Sequence, residues 1–371
     1  MKRVLAVFGT RPEAIKLCPV VARLRDDPER FHVRVCVTGQ HRQMLDQVLT
    51  AFAIRPDHDL DIMQPAQTLA ESASRILSAL APVIATERPN IVIVQGDTTT
   101  TLCGALAAFY ARVPVAHVEA GLRTSDLARP FPEEMNRVLT GRLTALHFAA
   151  TEWAADNLRR EGVESRRVFV TGNTVIDALL TVNGRLASGG IRGGELPPLD
   201  QRKKWILVTA HRRESFGDGF RRIAAAIAKV AARGDVEIVY PVHPNPNVRG
   251  VIDRDLAGIE NVHLIPPLDY VPFIDLMRRA HLVLTDSGGV QEEAPSLGKP
   301  VLVLRETTER PEAVEAGTAR LVGTDVERIV SECSLLLDDP GEYERRAATR
   351  NPYGDGQASD RIAGILADWK P

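Results

Sequence analysis

The stretch 282–312 carries small and charged residues in an order that suits the binding of an anion. Its apolar run 282–284 predicts a buried parallel strand, the Ser287-Gly288-Gly289 segment a tight turn, and residues 290–297 a helix. Backbone N–H groups stay free at the positive end of such a helix, and glycines without a Cβ atom let a bulky anion come close. The sequence therefore predicts a phosphate or diphosphate site here, although a plain strand–helix connection would use the same residues.

Cations also follow the first predicted strand of the chain, residues 4–8. Arg11 and Lys16 stand at the start of the next predicted helix, where the helix dipole does not favour a positive charge. Phosphate binding gives them a reason to be there, and solvated surface charge is the alternative. The loop lacks a GxGxxG pattern, which argues against a nicotinamide cofactor at the usual place.

Acidic residues follow two later predicted strands. Asp97 comes after strand 91–94 and Glu119 after strand 113–118, at the edge where open α/β sheets bind their ligands. Asp97 also stands where it could cap the helix that follows it. Capping is a weaker explanation for two such carboxylates than for one.

One more acid and a histidine complete the set. Glu133 opens another predicted helix, and Arg137 lies four residues on, where an ordinary ion pair on one helix face is the alternative to a function. His211 ends the first predicted strand of the second half of the chain, although a lone histidine is usually structural. Acid and base catalysis would be available from Asp97, Glu119, Glu133 and His211. Metal-ligand spacing such as HExxH is missing, so no metal is expected.

Short apolar runs alternate with amphipathic segments twice along the chain. This alternation predicts an α/β protein of two doubly wound, Rossmann-like domains that face one another across a cleft. Residues 188–199 are rich in Gly and Pro and read as a linker or surface loop. We expect an N-terminal domain of residues 1–172 and a C-terminal, nucleotide-binding domain of residues 173–352.

Composition narrows the class of protein further. The chain has 371 residues, 44% apolar and 25% charged, which suits two globular domains. A formal charge of −2 gives no basic field, so neither nucleic acid nor an acidic membrane is an expected partner. Scattered cysteines without CxxC, and the lack of an apolar segment of signal-peptide or membrane-span length, predict a cytoplasmic protein.

These residues leave the reaction open. A nucleotide-diphosphate site with acids and bases nearby fits glycosyl transfer from a nucleotide sugar, hydrolysis of that sugar, or its isomerisation. A non-enzymatic nucleotide-binding module is the fourth candidate, and the converging ionisable groups speak against it.

Ten segments, in order along the whole chain, share one family pattern. They are FGTRPEAIK at 8–16, GQHRQML at 39–45, QGDTTTT at 95–101, HVEAGLRT at 117–124, PFPEEMNR at 130–137, TGNTVIDAL at 171–179, TAHRRESFG at 209–217, YPVHPNPNVR at 240–249, TDSGGVQEEAPSLGKPVLVLRETTERPE at 285–312 and NPYGDG at 351–356. Together they resemble the bacterial non-hydrolysing UDP-N-acetylglucosamine 2-epimerases. Any one segment would be a weak signal, but ten in register are specific.

The resemblance implies a glycosyltransferase-B-type fold, a homodimer, no cofactor, and a last helix, residues 353–371, that packs back on the first domain. It also implies reversible conversion of UDP-GlcNAc to UDP-ManNAc, a precursor for cell-surface polysaccharides. The implied mechanism is anti elimination of UDP to a 2-acetamidoglucal. UDP then adds back while a proton returns to the other face of C2.

The same resemblance implies roles for individual residues. Asp97, Glu119, Glu133 and His211 become the candidates for proton transfer, with Arg137 as a support for the carboxylates. The UDP portion would be held by Arg11, Lys16, Phe273, Ser287, Gly288, Gly289, Glu293 and Arg310.

Several members of the family are activated by a second substrate molecule bound beside the active site. The resemblance places that regulatory site at Gln40, His41 and Gln43, together with an arginine just before the QTL tripeptide. Here Ala66 stands in place of that arginine, so activation by substrate is an open question.

Three rival functions would fit the same residues. An epimerase of the same family could act on another UDP-acetamido sugar, with extra contacts to a group such as a C6 carboxylate. A hydrolysing 2-epimerase would release ManNAc and UDP. A glycosyltransferase of the same fold would need an acceptor site and would not exchange the proton at C2.

Overall fold

The computed structural model describes residues 1–39, 42–64, 66–308 and 310–370. The chain divides into two compact units, the first made of Met1–Thr181 and Tyr353–Pro371 and the second of Val182–Pro352. Each unit is a parallel β-sheet whose strands are connected through helices, which confirms the predicted class of two Rossmann-like α/β halves. None of the helices in these described ranges is both long enough and apolar enough to span a bilayer.

The first unit begins with strand β1, which pairs with β2 on one side and β4 on the other. Its elements are β1 (Lys2–Phe8), α1 (Arg11–Arg25), β2 (Phe31–Val37), α2 (Arg42–Ala51), β3 (His58–Asp59), α3 (Leu69–Glu87), β4 (Ile91–Gln95), α4 (Thr99–Tyr110), β5 (Val115–Ala120), α5 (Glu133–Leu143), β6 (Leu146–Ala149), α6 (Glu152–Arg160), β7 (Val168–Val170) and the first part of α7 (Thr174–Ala187), whose residues from Val182 onward count with the second unit. In the described part of this unit the sheet order is β3-β2-β1-β4-β5-β6-β7.

The second unit repeats this plan around strand β8. Its elements are β8 (Lys204–Thr209), α8 (Asp218–Ala231), β9 (Val236–Pro241), α9 (Pro246–Leu256), β10 (Val262–Ile265), α10 (Tyr270–Arg279), β11 (Leu282–Thr285), α11 (Gly288–Glu293), β12 (Val301–Val303), α12 (Pro311–Ala316), β13 (Ala319–Leu321), α13 (Val326–Asp338) and α14 (Pro340–Ala347). Over the described residues its sheet order is β10-β9-β8-β11-β12-β13. The strand order reverses beside β8, as it does beside β1 in the first unit, and such a reversal is where ligands bind.

Apolar strands build the core of each unit. All five residues of β4 are buried, and in β8 every residue after Lys204 is buried. Both faces of these parallel strands are covered by helices, which is why they read as continuous apolar runs in the sequence. Burying each large aliphatic side chain contributes about 1.5–3 kcal/mol, so these strands form a rigid base for the loops at their carboxyl ends.

The last helix, α15 (Ala358–Asp368), belongs to the first unit and is held there at both ends. Asp177 of α7 accepts hydrogen bonds from the backbone N–H groups of Ala358 (3.2 Å) and Ser359 (2.7 Å), at the start of α15. At its other end, Lys2 Nζ donates to the carbonyl oxygen of Ala367 at 2.8 Å. A carboxylate at the positive end of a helix and an ammonium at the negative end both stabilise it.

Candidate active site

The sheet order of the first unit brings two predicted acids together. β4 and β5 are neighbouring parallel strands, with Gln95 opposite Val118. Asp97 and Glu119 therefore lie side by side at the same edge of the sheet, as predicted from the sequence. Their proximity has an electrostatic effect, because the charge of Glu119 raises the pKa of Asp97.

Asp97 lies just before helix α4 and does not cap it. The N-cap is Thr98, whose hydroxyl oxygen accepts from the backbone N–H of Thr101 at 3.1 Å. The alternative explanation of Asp97 as a helix cap is therefore wrong. Its backbone is fixed independently, because Asn136 Nδ2 donates to the Asp97 carbonyl oxygen at 2.9 Å.

Burial brings the pKa of Asp97 closer to neutral pH. Removal from water raises the pKa of this carboxyl group to about 6. The cation of Arg137 acts in the opposite direction, while the negative charges of Glu119 and Glu133 add to the rise. A carboxyl group with a pKa near 6 can both take and give a proton at neutral pH.

Arg137 contacts Asp97 and Glu134 and not Glu133, its partner in the alternative ion-pair explanation. Its Nη1 lies 3.3 Å from Asp97 Oδ2, and its Nε donates to Glu134 Oε2 at 2.7 Å. Among the described residues its ion-pair partners are these two, so the ordinary pair with Glu133 four residues before is not formed. Arg137 is buried between them and holds Asp97 by charge.

Glu134 is a structural acid that the sequence analysis missed. Its side chain is buried and accepts from the backbone N–H groups of Thr124 and Ser125, each at 3.0 Å. Together with the bond from Arg137, these contacts attach the loop after β5 to helix α5. Glu133, its neighbour, instead faces open space.

That space is a cavity of about 330 Å³ within the first unit. Asp97 and Glu133 line it, together with Thr10 from the start of α1 and Asn136 from α5. Two carboxylates from different elements therefore border one cavity, which is the arrangement that acid and base catalysis needs.

Glu119 sits on a β-bulge in an unusual backbone conformation. The register between β5 and β6 shifts between Val118 and Ala120, so Glu119 is the extra residue. Its φ is 61°, in the left-handed region that costs a non-glycine residue about 1–3 kcal/mol. The sequence predicted that β5 ends before Glu119, whereas the strand continues to Ala120. A bulge of this kind re-aims a side chain without ending the strand.

Side chains from three different elements or loops among the described residues hold the Glu119 carboxylate. Lys16 Nζ lies 2.6 Å from both of its oxygens, Asn173 Nδ2 donates to Oε1 at 3.1 Å, and Gln95 Nε2 donates to Oε2. Only 9% of the surface of Glu119 is exposed, so its negative charge is buried and is paired with the positive charge of Lys16. The contact also places Lys16, predicted to bind diphosphate, against a predicted catalytic group.

His117, two residues before Glu119, fixes the turn that precedes Asp97. Its Nε2 lies 2.7 Å from the carbonyl oxygen of Gly96. Burial lowers the pKa of His117 to about 4, so the ring is neutral at pH 7 and its Nε2–H donates to that carbonyl. Gly96 has φ 71°, which glycine adopts without strain.

In the second unit, Ser287 precedes a short helix whose first two residues are the predicted glycines, and its side chain makes no capping hydrogen bond. Helix α11 begins at Gly288 and gives way after Glu293 to a 3-10 turn over Ala294–Leu297, so the helix starts two residues earlier than predicted. Neither Gly288 nor Gly289 has a positive φ. A Cβ atom at Gly288 would lie 3.9 Å from the Arg310 guanidinium, and one at Gly289 would lie 4.0 Å from Ser287 Oγ.

The folded chain therefore does not require glycine at position 288 or 289. Neither the backbone conformation nor a crowded neighbour excludes a side chain there. What the two glycines provide is open space in front of the backbone N–H groups at the start of α11, where an anion could approach.

Arg310 lies next to this turn and is held by an acid. Its Nε donates to Glu292 Oε1, and Glu292 is almost fully buried. Asn351 Nδ2 in turn donates to the backbone oxygen of Glu292 at 2.7 Å. Glu292 thus orients Arg310, whereas the neighbouring acid Glu293 is the one that the sequence analysis assigned to the ligand.

His211 contacts the residue that precedes Ser287. The buried Asp286 accepts from the backbone N–H groups of His211 (2.6 Å) and Arg212 (2.7 Å), and its second oxygen lies 3.5 Å from His211 Nδ1. Burial lowers the pKa of His211 and the Asp286 carboxylate opposes that shift. The ring stacks on His243, with centroids 5.5 Å apart. Asp286 thus joins the His211 loop to the glycine turn.

The remaining residues predicted to bind the ligand lie on helices. Arg11 is the first residue of α1, Phe273 lies half-buried in α10, and Glu293 is buried at the end of α11. Gln40 and His41 lie outside the described residues, and so does the side chain of Gln43.

Each unit gathers its own subset of the predicted residues. The first holds Arg11, Lys16, Asp97, Glu119, Glu133 and Arg137, and the second holds His211, Phe273, Ser287, Gly288, Gly289, Glu293 and Arg310. Supporting side chains that the sequence analysis did not single out are Gln95, His117, Glu134, Asn136, Asn173 and Asp286. A polar residue inside an otherwise apolar strand, as at Gln95 and His117, is a signal that could have found two of them.

Similarity to known proteins extends over nearly the full chain. The family model of UDP-N-acetylglucosamine 2-epimerase matches residues 22–367. A UDP-N-acetylglucosamine 2-epimerase of Salmonella typhimurium is 58% identical, and the match covers 99% of each chain. The crystal structure of UDP-GlcNAc 2-epimerase from Neisseria meningitidis bound to UDP-GlcNAc is 49% identical with a TM-score of 0.88, covering 98% of this chain and 99% of that one.

The fold is also shared with a more distant protein. A glycotransferase of kitacinnamycin is 14% identical with a TM-score of 0.67, covering 98% of each chain, and this likeness concerns the fold alone. Together these similarities confirm the glycosyltransferase-B-type fold class expected from the sequence.

Proposed function

Because this chain belongs to the UDP-N-acetylglucosamine 2-epimerase family, we propose that it interconverts UDP-GlcNAc and UDP-ManNAc by inverting C2. The proposed route is anti elimination of UDP to a 2-acetamidoglucal, followed by re-addition of UDP and return of the proton to the opposite face. No hydrolysis of the glucal takes place on this route.

Chemistry sets two demands on such an enzyme. The hydrogen at C2 is not next to a carbonyl and is only weakly acidic, so its removal must accompany departure of the diphosphate from C1. Acid and base groups are therefore needed near C2, and the leaving diphosphate needs stabilisation by cations and N–H donors.

The observation that carries the proposal is the pair of carboxylates in the first unit. Asp97 and Glu119 lie at the carboxyl ends of neighbouring strands, and each is held by a cation, Arg137 and Lys16 respectively. A pKa of about 6 suits Asp97 to proton transfer at neutral pH. Glu133 borders the same cavity as Asp97 and is the third candidate for proton transfer.

We assign the UDP portion mainly to residues of the second unit. The N–H groups at Gly288 and Gly289 would donate to phosphate oxygens, and the nearby Arg310 would neutralise part of the charge. Glu293 would accept from the ribose, and Phe273 would contact the uracil. His211 is the remaining candidate for proton transfer, with Asp286 to orient it.

Arg11 and Lys16 of the first unit are proposed to contact the diphosphate as well. Lys16 already touches Glu119, so an arriving diphosphate would share its charge with that carboxylate. This arrangement would link binding of the leaving group to the electrostatic state of a catalytic residue.

Further parts of the proposal concern organisation. We propose functional domains of residues 1–172 with 353–371, and of residues 173–352. We also propose a homodimer that works in the cytoplasm, and its product would serve the synthesis of cell-surface polysaccharide. Sedimentation analysis of the purified protein tests the dimer.

Product analysis tests the proposed reaction. Pure protein is incubated with UDP-GlcNAc without added metal or NAD, and the products are separated by anion-exchange chromatography. We expect a constant ratio of UDP-GlcNAc to UDP-ManNAc, reached from either side. Free ManNAc with stoichiometric UDP would instead indicate the hydrolysing reaction, and an inert UDP-GlcNAc would indicate a different sugar or a glycosyltransferase.

A further inference from the structure

Glu13, in the first turn of α1, is a buried acid to which no role has yet been assigned. With 1% of its surface exposed, it accepts through Oε2 from the backbone N–H groups of Gly9 (3.0 Å) and Thr10 (2.7 Å). Thr10 is the N-cap of α1, so these bonds form one half of a capping box. They fix the loop that leads into Arg11.

The second oxygen of Glu13 reaches a different loop. Thr98 Oγ1 donates to Oε1 at 2.7 Å, and Thr101 Oγ1 lies 3.2 Å from the same atom. Thr98 is the N-cap of α4 and follows Asp97 directly. One carboxylate therefore connects the loop before Arg11 to the turn that carries Asp97.

A second capping box in the same unit shows that capping does not need this connection. Thr68 and Glu71 at the start of α3 repeat the Thr-x-x-Glu spacing, and Glu71 accepts from Thr68 N at 2.7 Å. Among the described residues, the hydrogen bonds of Glu71 stay within its own turn, and its side chain is exposed. Burial and a link to another loop distinguish Glu13 from an ordinary capping acid.

We propose that Glu13 is a positioning residue that holds the Arg11 loop and the Asp97 turn at a fixed separation. The inference rests on the proposed function, in which Arg11 contacts the leaving diphosphate and Asp97 moves a proton. Loss of the leaving group and loss of the proton occur together in an elimination. Their catalytic groups must then be aligned in one geometry, and small misplacements lower the rate steeply.

The substitution Glu13→Gln separates the link from the cap. Glutamine serves the capping box as well as glutamate does, because its Oε1 can accept from Gly9 N and Thr10 N. Its amide group would then face Thr98, whose hydroxyl already accepts from Thr101 N. An amide NH2 group cannot accept the hydrogen bond that the Thr98 hydroxyl donates to Glu13, so that bond would be lost and the Asp97 turn would be held less firmly.

The test compares Glu13→Gln with Glu71→Gln in the full-length protein. We expect Glu13→Gln to lower kcat for proton exchange at C2 by about 10- to 10²-fold with KM little changed. Glu71→Gln should leave both parameters at the wild-type value. Equal effects of the two variants, or a change in KM alone, would overturn the inference.

A second pair of variants covers the case in which Glu13→Gln does not fold. Thr98→Val removes the hydroxyl that donates to Glu13, and Thr98→Ser keeps it. We expect Thr98→Val to lower kcat and Thr98→Ser to restore most of it. Thr68→Val measures the stability lost with an N-cap alone, typically about 1 kcal/mol, and should not change kcat. Equal activity of Thr98→Val and Thr98→Ser would contradict the proposal.

Backbone amide exchange provides a readout that does not depend on activity. In Glu13→Gln, or in Thr98→Val, residues 96–101 should lose protection while the N–H groups of Gly9 and Thr10 keep it, whereas Glu71→Gln should leave residues 96–101 unchanged. Unchanged protection at 96–101 would overturn the proposed link. If the wild-type protein does not exchange C2 hydrogen, the proposed function fails, and the amide data still decide whether Glu13 joins the two loops.

Discussion

Lys16 Nζ lies 2.6 Å from both carboxylate oxygens of Glu119. This pair joins a cation assigned to the diphosphate with an acid assigned to proton transfer. Both side chains are mostly buried, with 19% and 7% of the side-chain surface exposed. Removing one charge of such a pair leaves the other inadequately solvated, whereas removing both does not.

The pair predicts a measurable coupling in stability. Lys16→Met and Glu119→Gln should each lower the free energy of unfolding, and the double variant should lose less than the sum of the two. We expect a coupling energy of about 0.5–3 kcal/mol from urea unfolding of the four proteins. Additive losses would show that the two charges do not stabilise each other.

Asp97 and Glu119 should be needed for exchange of the C2 hydrogen. Asp97→Asn and Glu119→Gln should each lower kcat by about 10²–10⁴-fold, the usual contribution of a general acid or base. UDP affinity by titration calorimetry should stay close to the wild-type value. The exposed Asp156 on α6 offers a control, since Asp156→Asn should not change kcat. A variant at 97 or 119 with near-normal turnover would remove that residue from the mechanism.

Arg137 should control the pH dependence through Asp97. One arm of the pH profile of kcat/KM should lie near pH 6, where Asp97 titrates. The Arg137 cation lowers the pKa of Asp97, so Arg137→Met should move that arm to higher pH. Arg142 lies exposed on the same helix and donates to a backbone carbonyl, which makes Arg142→Met the matched control. An arm that stays in place in Arg137→Met would contradict the assignment to Asp97.

The raised pKa of Asp97 also predicts a stability effect. Its value of about 6 in the folded protein exceeds the ordinary value of 3.8. The group therefore contributes stability that is present below about pH 4 and lost as pH rises through about 6. Asp97→Asn should gain stability relative to wild type between pH 4 and pH 8, measured as the difference in Tm. A difference that does not change with pH would mean that burial does not perturb this carboxyl group.

The glycine turn predicts a loss of binding without a loss of stability. Gly289→Ala should keep or raise the Tm, because the site is helical and its Cβ would meet nothing closer than 4.0 Å. UDP affinity should nevertheless fall, since the methyl group would stand where the anion approaches. Gly364→Ala in α15, where nothing lies within 4 Å, should raise the Tm and leave UDP affinity unchanged. Normal UDP binding by Gly289→Ala would remove the turn from the ligand site.

The sequence allowed the main elements of the site to be predicted, because strand ends in a parallel sheet converge. The strand predicted at 282–284 is β11 (Leu282–Thr285), and the strand predicted at 91–94 is β4 (Ile91–Gln95), so the apolar runs located both strands to within one residue. Helix α9 was missed because its first residues, Asn245 and Pro246, also signal a turn; here Asn245 caps the helix and Pro246 opens it.

Other features depend on contacts between residues far apart in sequence. The bulge and positive φ at Glu119 arise from its register with β6, which no local pattern encodes. The sequence could not decide between Asp97 and Thr98 as the N-cap of α4, because Asp and Thr are both good N-cap residues. Arg137 pairs with Asp97 because α5 lies beside the Asp97 turn, and the i,i+4 spacing to Glu133 in the sequence does not reveal this contact.

Proton NMR of UDP-GlcNAc incubated with the pure protein in D2O tests the central claim most directly. The proposed mechanism predicts deuterium at C2 of both UDP-GlcNAc and UDP-ManNAc, without added metal or NAD, and with UDP retained in both sugars. Formation of UDP-ManNAc with its original C2 hydrogen, or no exchange at C2 in either sugar, would contradict it.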